Sequence, residues 1–212
     1  MPTKPDALLS YTRFDDQRGK ISEFCSELSY AVEAVSGESF HIFQDVDGIG
    51  EHWPDKLDDM LGQARFFIPI VTPKFFNSDP CRSELTKFLE QEQKVGRKDL
   101  VFPIYWIQCA KLEEPHLKVT DELAEVIHER QHRDWRRHRL RPITDIDVAE
   151  QIEALALQIE RARRNVLRLV ETAEPLSVGE PIRARTPPLK PAQSRKPEPK
   201  PSKPKPAPKK IL

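Results

Sequence analysis

The sequence predicts an α/β fold around a mainly parallel sheet. Two observations carry that expectation. Short apolar runs alternate with stretches of helical period, the signature of strands joined by crossover helices. The run RFFIPIVT (Arg65–Thr72) also lacks polar alternation, as expected of a strand buried on both faces.

The elements follow in order. DALLSYT (Asp6–Thr12) is a short apolar run closed by polar residues and reads as the first strand. Behind it, Ile21, Phe24, Leu28, Ala31 and Val35 recur at spacings of three and four, so the spacing predicts an amphipathic helix that stops at Gly37. FHIFQ (Phe40–Gln44) is the second strand. DVDGIGEHW (Asp45–Trp53) carries two glycines and several acids and reads as a loop, with Pro54 opening a short helix. RFFIPIVT is the third strand. Ser78 or Asp79 caps the next helix, Pro80 stands in its first turn, and the pattern runs to Gly96. LVFPIYWI (Leu100–Ile107) is a fourth buried strand. Asp121–Gln131 has a helical pattern, and HRDWRRH (His132–His138) reads as a short edge strand. The final helix is long, with Ile146, Ala149, Ile152, Leu155 and Ile159 expected on one stripe.

The pattern ends near Glu174. From Pro181 to Leu212 there are ten Lys or Arg residues, ten prolines and a single acid, Glu198. Such a segment cannot build a core and is expected to be disordered, with polyproline II character. The zero net charge of the 212 residues therefore hides a body near −9 (residues 1–180) and a tail near +9. A basic tail of this kind suits an acidic partner or an anionic membrane surface. It also contains Arg185-Thr186-Pro187-Pro188-Leu189-Lys190-Pro191, a pattern that SH3-type domains bind and that arises by chance in proline-rich sequence. Three scattered cysteines give neither metal spacing nor a disulfide framework, which suggests a reducing compartment. No apolar run has the length of a signal peptide or of a membrane span, so a cytoplasmic protein is expected.

With this layout the loops after the strands meet at the carboxyl edge of the sheet, where such folds bind ligands. They deliver Ser10, Tyr11, Arg13, Asp15 and Asp16, then Asp45, Asp47 and Trp53, then Ser78, Cys81 and Glu84. The last three are spaced by three and so share one helix face. There is no GxGxxG and no GxxxxGK[ST], so no glycine cradle of those kinds holds a phosphate. No metal site is expected.

ALLSYTRFDD, FQDVDGIGEHWPDKLDDML and FFIPIVTPKFFNSDPCRSEL together resemble a bacterial Toll/interleukin-1 receptor (TIR) domain, and QHRDWRRHR resembles its last strand region. The similarity covers residues 5–164. The resemblance implies a flavodoxin-like TIR fold of about five mainly parallel strands flanked by helices. The TIR domain is then expected over residues 1–168 and a Pro/Lys-rich tail over 169–212. Many TIR domains cleave NAD+ at the nicotinamide–ribose bond and need self-association with other TIR domains to act. Their catalytic glutamate lies in a pattern like S-x-W-C-x-x-E, here Ser78-Asp79-Pro80-Cys81-Arg82-Ser83-Glu84, with Pro80 in place of the tryptophan.

The resemblance therefore implies Glu84 as the catalytic carboxylate. It implies Ser10, Tyr11, Arg13, Asp45, Trp53, Ser78 and Cys81 as substrate-binding residues, NAD+ as substrate and no bound cofactor. The chemistry suits one carboxylate. Nicotinamide leaves as a neutral molecule and needs no general acid, while positive charge builds on the ribose. Plainer roles stand beside these. A glutamate early in a helix is favoured by the macrodipole alone. Cys81 suits packing, Asp45 and Asp47 suit a turn, Trp53 suits a loop anchor, and Asp15 and Asp16 suit a helix start. Arg13 has acids nearby to pair with. Three rival functions share parts of this pattern: a TIR scaffold without catalysis, a phosphoacceptor receiver and a nucleoside deoxyribosyltransferase-like enzyme.

Overall fold

The computed structural model describes residues 4–44, 64–114, 116, 120–130 and 132–172. The expected loop Asp45–Trp53, the helix after it and the tail beyond residue 172 lie outside the described residues.

In chain order the elements are β1 (Ala7–Ser10), α1 (Lys20–Ser36), β2 (Ile42–Gln44), β3 (Phe66–Val71), α2 (Asp79–Val95), β4 (Ile104–Tyr105), α3 (Ala110–Glu113), α4 (Glu122–Glu129), β5 (Arg133–Asp134) and α5 (Ile146–Thr172). The five strands form one sheet in the order β2-β1-β3-β4-β5, and every described pairing is parallel. This is the expected α/β sheet flanked by helices. Helix α5 continues to Thr172, past the boundary expected at residue 168.

The strands divide their side chains between two layers because successive residues point to opposite faces. Ala7, Leu9, Phe66, Ile68 and Ile70 join Phe24, Leu28, Leu155 and Ile159 in the core beneath α1 and α5. Leu8, Phe67 and Val71 join Phe75, Leu85, Phe88 and Ile127 beneath α2 and α4. All six residues of β3 are buried, which is why its sequence shows no alternation. Aromatic pairs fill both layers. Phe24 meets Trp135 edge-on at 4.9 Å between centroids, and Phe67 stacks on Phe88 at 4.7 Å. Each such ring buried contributes about 1.5–3 kcal/mol.

Two expectations need correction. The fourth run pairs less than its length suggests: only Ile104–Tyr105 is strand, with an isolated bridge from Val101 to Phe67. The cause is Pro69. Phe67 N donates to Leu100 O at 2.9 Å, and Val71 O accepts from Trp106 N at 3.0 Å. Residue 69 should supply the donor between them, and proline has none. The ladder therefore splits. The stripe on α5 is also shifted. Val148, Ile152, Leu155 and Ile159 are buried, while Ile146 is 72% exposed and Ala149 is exposed. At about 100° per residue, steps of three drift around the helix, whereas steps of four, three and four hold one face.

Helices α1 and α2 end as their glycines require. Gly37 and Gly96 adopt φ of 74° and 66°, and Gly37 N donates to Glu33 O at 2.8 Å. The left-handed conformation is open to glycine and strained for other residues.

Candidate functional site

The carboxyl ends of β1 and β3 lie side by side, with Ser10 registered against Pro69. The chain after β1 forms a 3-10 turn, Arg13–Asp16. After β3 it forms another, Phe75–Asn77, which leads directly into α2. A carboxylate ties the two turns together. Asp15 Oδ2 accepts hydrogen bonds from Thr12 Oγ1 at 2.6 Å and Thr72 Oγ1 at 2.8 Å. Thr72 Oγ1 in turn accepts from Phe75 N at 3.1 Å. Asp16 turns away from the site. It accepts from Ile21 N at 2.7 Å and Ser22 Oγ at 2.5 Å, and so anchors the first turn of α1.

Ser78 is the N-cap of α2. Its extended backbone lets Oγ accept from Cys81 N, at the long distance of 3.5 Å. Pro80 sits in the first turn, where a missing N–H costs nothing. Cys81 and Glu84 then face inward at 4% and 6% exposure, while Ser83 between them is exposed. The spacing of three thus brings the serine, the thiol and the carboxylate to one side, and Ser10 joins them from the end of β1. Burial pushes the Cys81 thiol above its usual pKa. The Ser78 hydroxyl pulls it down, Glu84 pushes it up, Ser10 pulls it down and Asp15 pushes it up. The balance keeps it a neutral thiol. Ser10 is buried, and its Oγ makes no well-formed hydrogen bond among the described residues. Its influence on the thiol is accordingly weak.

The N-terminus of α2 is braced from its far side. Arg82 Nη1 donates to Phe76 O at 3.3 Å and to both carboxylate oxygens of Asp121, at 3.1 and 2.8 Å. Lys111 Nζ reaches Asp121 Oδ2 at 2.9 Å, and Asp121 caps α4 by accepting from Leu123 N at 3.2 Å. Burial would raise the Asp121 pKa, but the hydrogen bonds from Arg82 and Lys111 outweigh it and hold the carboxyl below its ordinary range.

The other expected residues are placed differently. Tyr11 points to the opposite face of the sheet from Ser10, packs against the core under α1 and α5, and donates to Gln44 Oε1 at 3.5 Å. Arg13 is exposed and has no ion pair among the described residues. Asp45, Asp47 and Trp53 lie outside the described residues. Thr72, Asp121 and the Asp15 brace escaped the sequence reading. A threonine closing a strand ahead of a proline is the local signal for a hydroxyl turned back on its own backbone.

The described cavities lie elsewhere. One of about 550 Å³ opens between α2 and α4, lined by Arg82, Thr86, Leu89, Asp121, Leu123 and Val126. That is the outer side of α2, roughly opposite Glu84. Among the described residues no group of His, Cys, Asp or Glu is arranged to hold a metal ion, and no helix is long and apolar enough to cross a membrane.

The profile of the TIR domain family matches residues 8–147. Among solved structures, the chain is similar to the TIR domains of the activated Roq1 resistosome directly recognizing the pathogen effector XopQ. The identity is 19% and the TM-score 0.41, over 72% of this chain and 83% of that one. It is also similar to the TIR domain of the Toll-related receptor TRR-2 from Hydra magnipapillata. There the identity is 17% and the TM-score 0.40, over 70% of this chain and 98% of that one. No curated protein matches the sequence.

Proposed function

The chain belongs to the TIR domain family, and on that premise we propose that it cleaves the nicotinamide–ribose bond of NAD+, as a glycohydrolase or cyclase. Glu84 is the catalytic carboxylate in this reading. The observation that carries it is the position of that side chain, 6% exposed in the second turn of α2 beside Cys81. That helix begins directly behind the turn that follows β3, so the carboxylate stands near the carboxyl edge of the sheet.

As the glycosidic bond lengthens, nicotinamide departs neutral and the ribose gains positive charge. A fixed carboxylate in a poorly hydrated setting stabilises that charge more than it stabilises the ground state. Ser10 and Ser78 supply hydroxyls to the substrate in this reading. Cys81, held neutral, packs beside the carboxylate and does not attack. Arg13, Asp45 and Trp53 complete the substrate-binding set, whereas Tyr11, turned to the other face of the sheet, packs behind it. Water as the nucleophile gives ADP-ribose, and an adenine nitrogen gives a cyclic product. NAD+ is the substrate, and no separate cofactor takes part.

Activity is expected to depend on self-association, with the enzyme working in the cytoplasm in bacterial defence or stress signalling. The basic tail is assigned to an acidic partner or an anionic membrane surface. The test is nicotinamide release from NAD+ by the purified full chain at high concentration, followed by chromatography beside Glu84→Ala. Specific activity that stays constant across a wide dilution series would count against assembly.

The second reading is a TIR scaffold that recruits other TIR domains without catalysis. It is favoured by Pro80 at the position where the family pattern carries tryptophan. Binding to other TIR domains with no NAD+ turnover, under conditions that drive assembly, would decide for it.

A further inference from the structure

The carboxyl edge also carries a basic rim that no motif marks. Arg13 and Phe14 lie in the turn after β1, both exposed, Phe14 to 58%. Lys74 lies in the loop after β3, also exposed, and its Nζ sits 4.0 Å from the centroid of the Phe14 ring. An exposed lysine ordinarily samples many rotamers, whereas one drawn to an aromatic face is confined. The two turns that carry this pair are locked by the Thr12–Asp15–Thr72 hydrogen bonds and by Phe75 N on Thr72. These turns leave the adjacent carboxyl ends of β1 and β3, and the second leads directly into α2, which carries Glu84. Lys74, like Arg13, has no carboxylate partner among the described residues.

The charges are therefore ordered. Carboxylates, Glu84 and Asp15, stand inside, and cations, Lys74 and Arg13, stand at the rim. NAD+ has the complementary order, with a cationic pyridinium at one end and an anionic pyrophosphate at its centre. We propose that Lys74, held over Phe14, binds the pyrophosphate of the dinucleotide together with Arg13 and so turns the nicotinamide end toward Glu84. The inference deepens the NAD+ reading and rests on it. An ammonium is a compact point charge suited to a phosphate, and Phe14 limits how far it strays.

The test uses the full chain as wild type, Lys74→Ala, Lys74→Gln, Lys74→Arg and Phe14→Leu. KM and kcat are measured for NAD+, and inhibition constants for two competing ligands: ADP-ribose, which carries the pyrophosphate, and nicotinamide riboside, which lacks any phosphate. A thermal melt of each variant reports folding. Lys74→Ala and Lys74→Gln should raise KM for NAD+ and the inhibition constant of ADP-ribose roughly tenfold, as loss of a charged hydrogen bond does. They should leave the melt and the binding of nicotinamide riboside unchanged. Lys74→Arg should recover most of the loss, and Phe14→Leu should show part of it. An unchanged KM in both neutral variants, or equal weakening of both competing ligands, overturns the inference and leaves the NAD+ reading standing. Wild-type protein that neither cleaves NAD+ nor binds ADP-ribose removes both.

Discussion

Asp121 offers the sharpest test of how the site is held. It is 7% exposed and takes hydrogen bonds from Arg82, Lys111 and the backbone of Leu123. Asp121→Ala removes all three. Charged hydrogen bonds contribute about 1.5–3 kcal/mol each when buried. Arg82 and Lys111, however, keep 33% and 35% of their side chains exposed and regain water once released. The lower end of that range for the pair together, about 1.5 kcal/mol, plus about 1 kcal/mol for the lost cap, gives a destabilisation of about 2.5 kcal/mol. For a domain of this size that lowers the melting temperature by about 5–10 °C. Asp121→Asn keeps the cap and should lose only about half as much. The sign with pH is fixed. The folded carboxyl titrates below its unfolded value, so its contribution is present above the ordinary carboxylate pKa of about 3.9 and is lost as pH falls through the folded value. Thermal or urea melts between neutral and acid pH should show the gap from wild type constant near neutrality and closing in acid. Because Arg82 also holds Phe76 O ahead of the cap, Asp121→Ala should lower NAD+ turnover as well. A melt within about 1 kcal/mol of wild type, or a gap that widens in acid, would refute the reasoning.

Other outcomes are equally specific. Cys81 in the folded protein should resist iodoacetamide at neutral pH, since burial raises its pKa; rapid labelling of the native state would place the thiol in a different setting. Leu155→Ala should cost about 2–5 kcal/mol and Ile146→Ala less than about 0.5 kcal/mol, a contrast in urea melts that checks the buried stripe of α5. Gly96→Ala should cost about 1 kcal/mol from backbone strain alone, because nothing lies within 4 Å of the added methyl. Asp15→Ala should loosen both turns and reduce NAD+ turnover, with Asp15→Asn retaining part of it; equal activity in all three forms would remove the brace from the account.

Much of the fold was legible because it is written in local patterns. Unbroken apolar runs gave β1, β2 and β3, and Gly37 and Gly96 marked helix ends that the left-handed caps confirm. The break in the fourth run was less visible. It depends on Pro69, on the neighbouring strand, and its effect appears only once register is known. Trp135 is fully buried although charged residues surround it in sequence, since only the sheet order brings it to Phe24. The spacing of Ser78, Cys81 and Glu84 fixed their common side, because helical period acts within a few residues. Tyr11 was grouped with Ser10 by adjacency, yet the period of two in the strand sends neighbours to opposite faces. The partnerships of Asp15 with Thr72 and of Arg82 with Asp121 span long sequence separations and had no local signal.

The most direct measurement is nicotinamide released from NAD+ by concentrated full-length protein, with Glu84→Gln beside it and both melts recorded. The expected result is steady release by the wild type and a fall of at least about a hundredfold in the variant, at unchanged stability, with ADP-ribose or its cyclic form as the companion product. Equal release from both proteins would take the catalytic role from Glu84. No release from either, even under crowding that drives assembly, would contradict the enzyme reading and leave the scaffold.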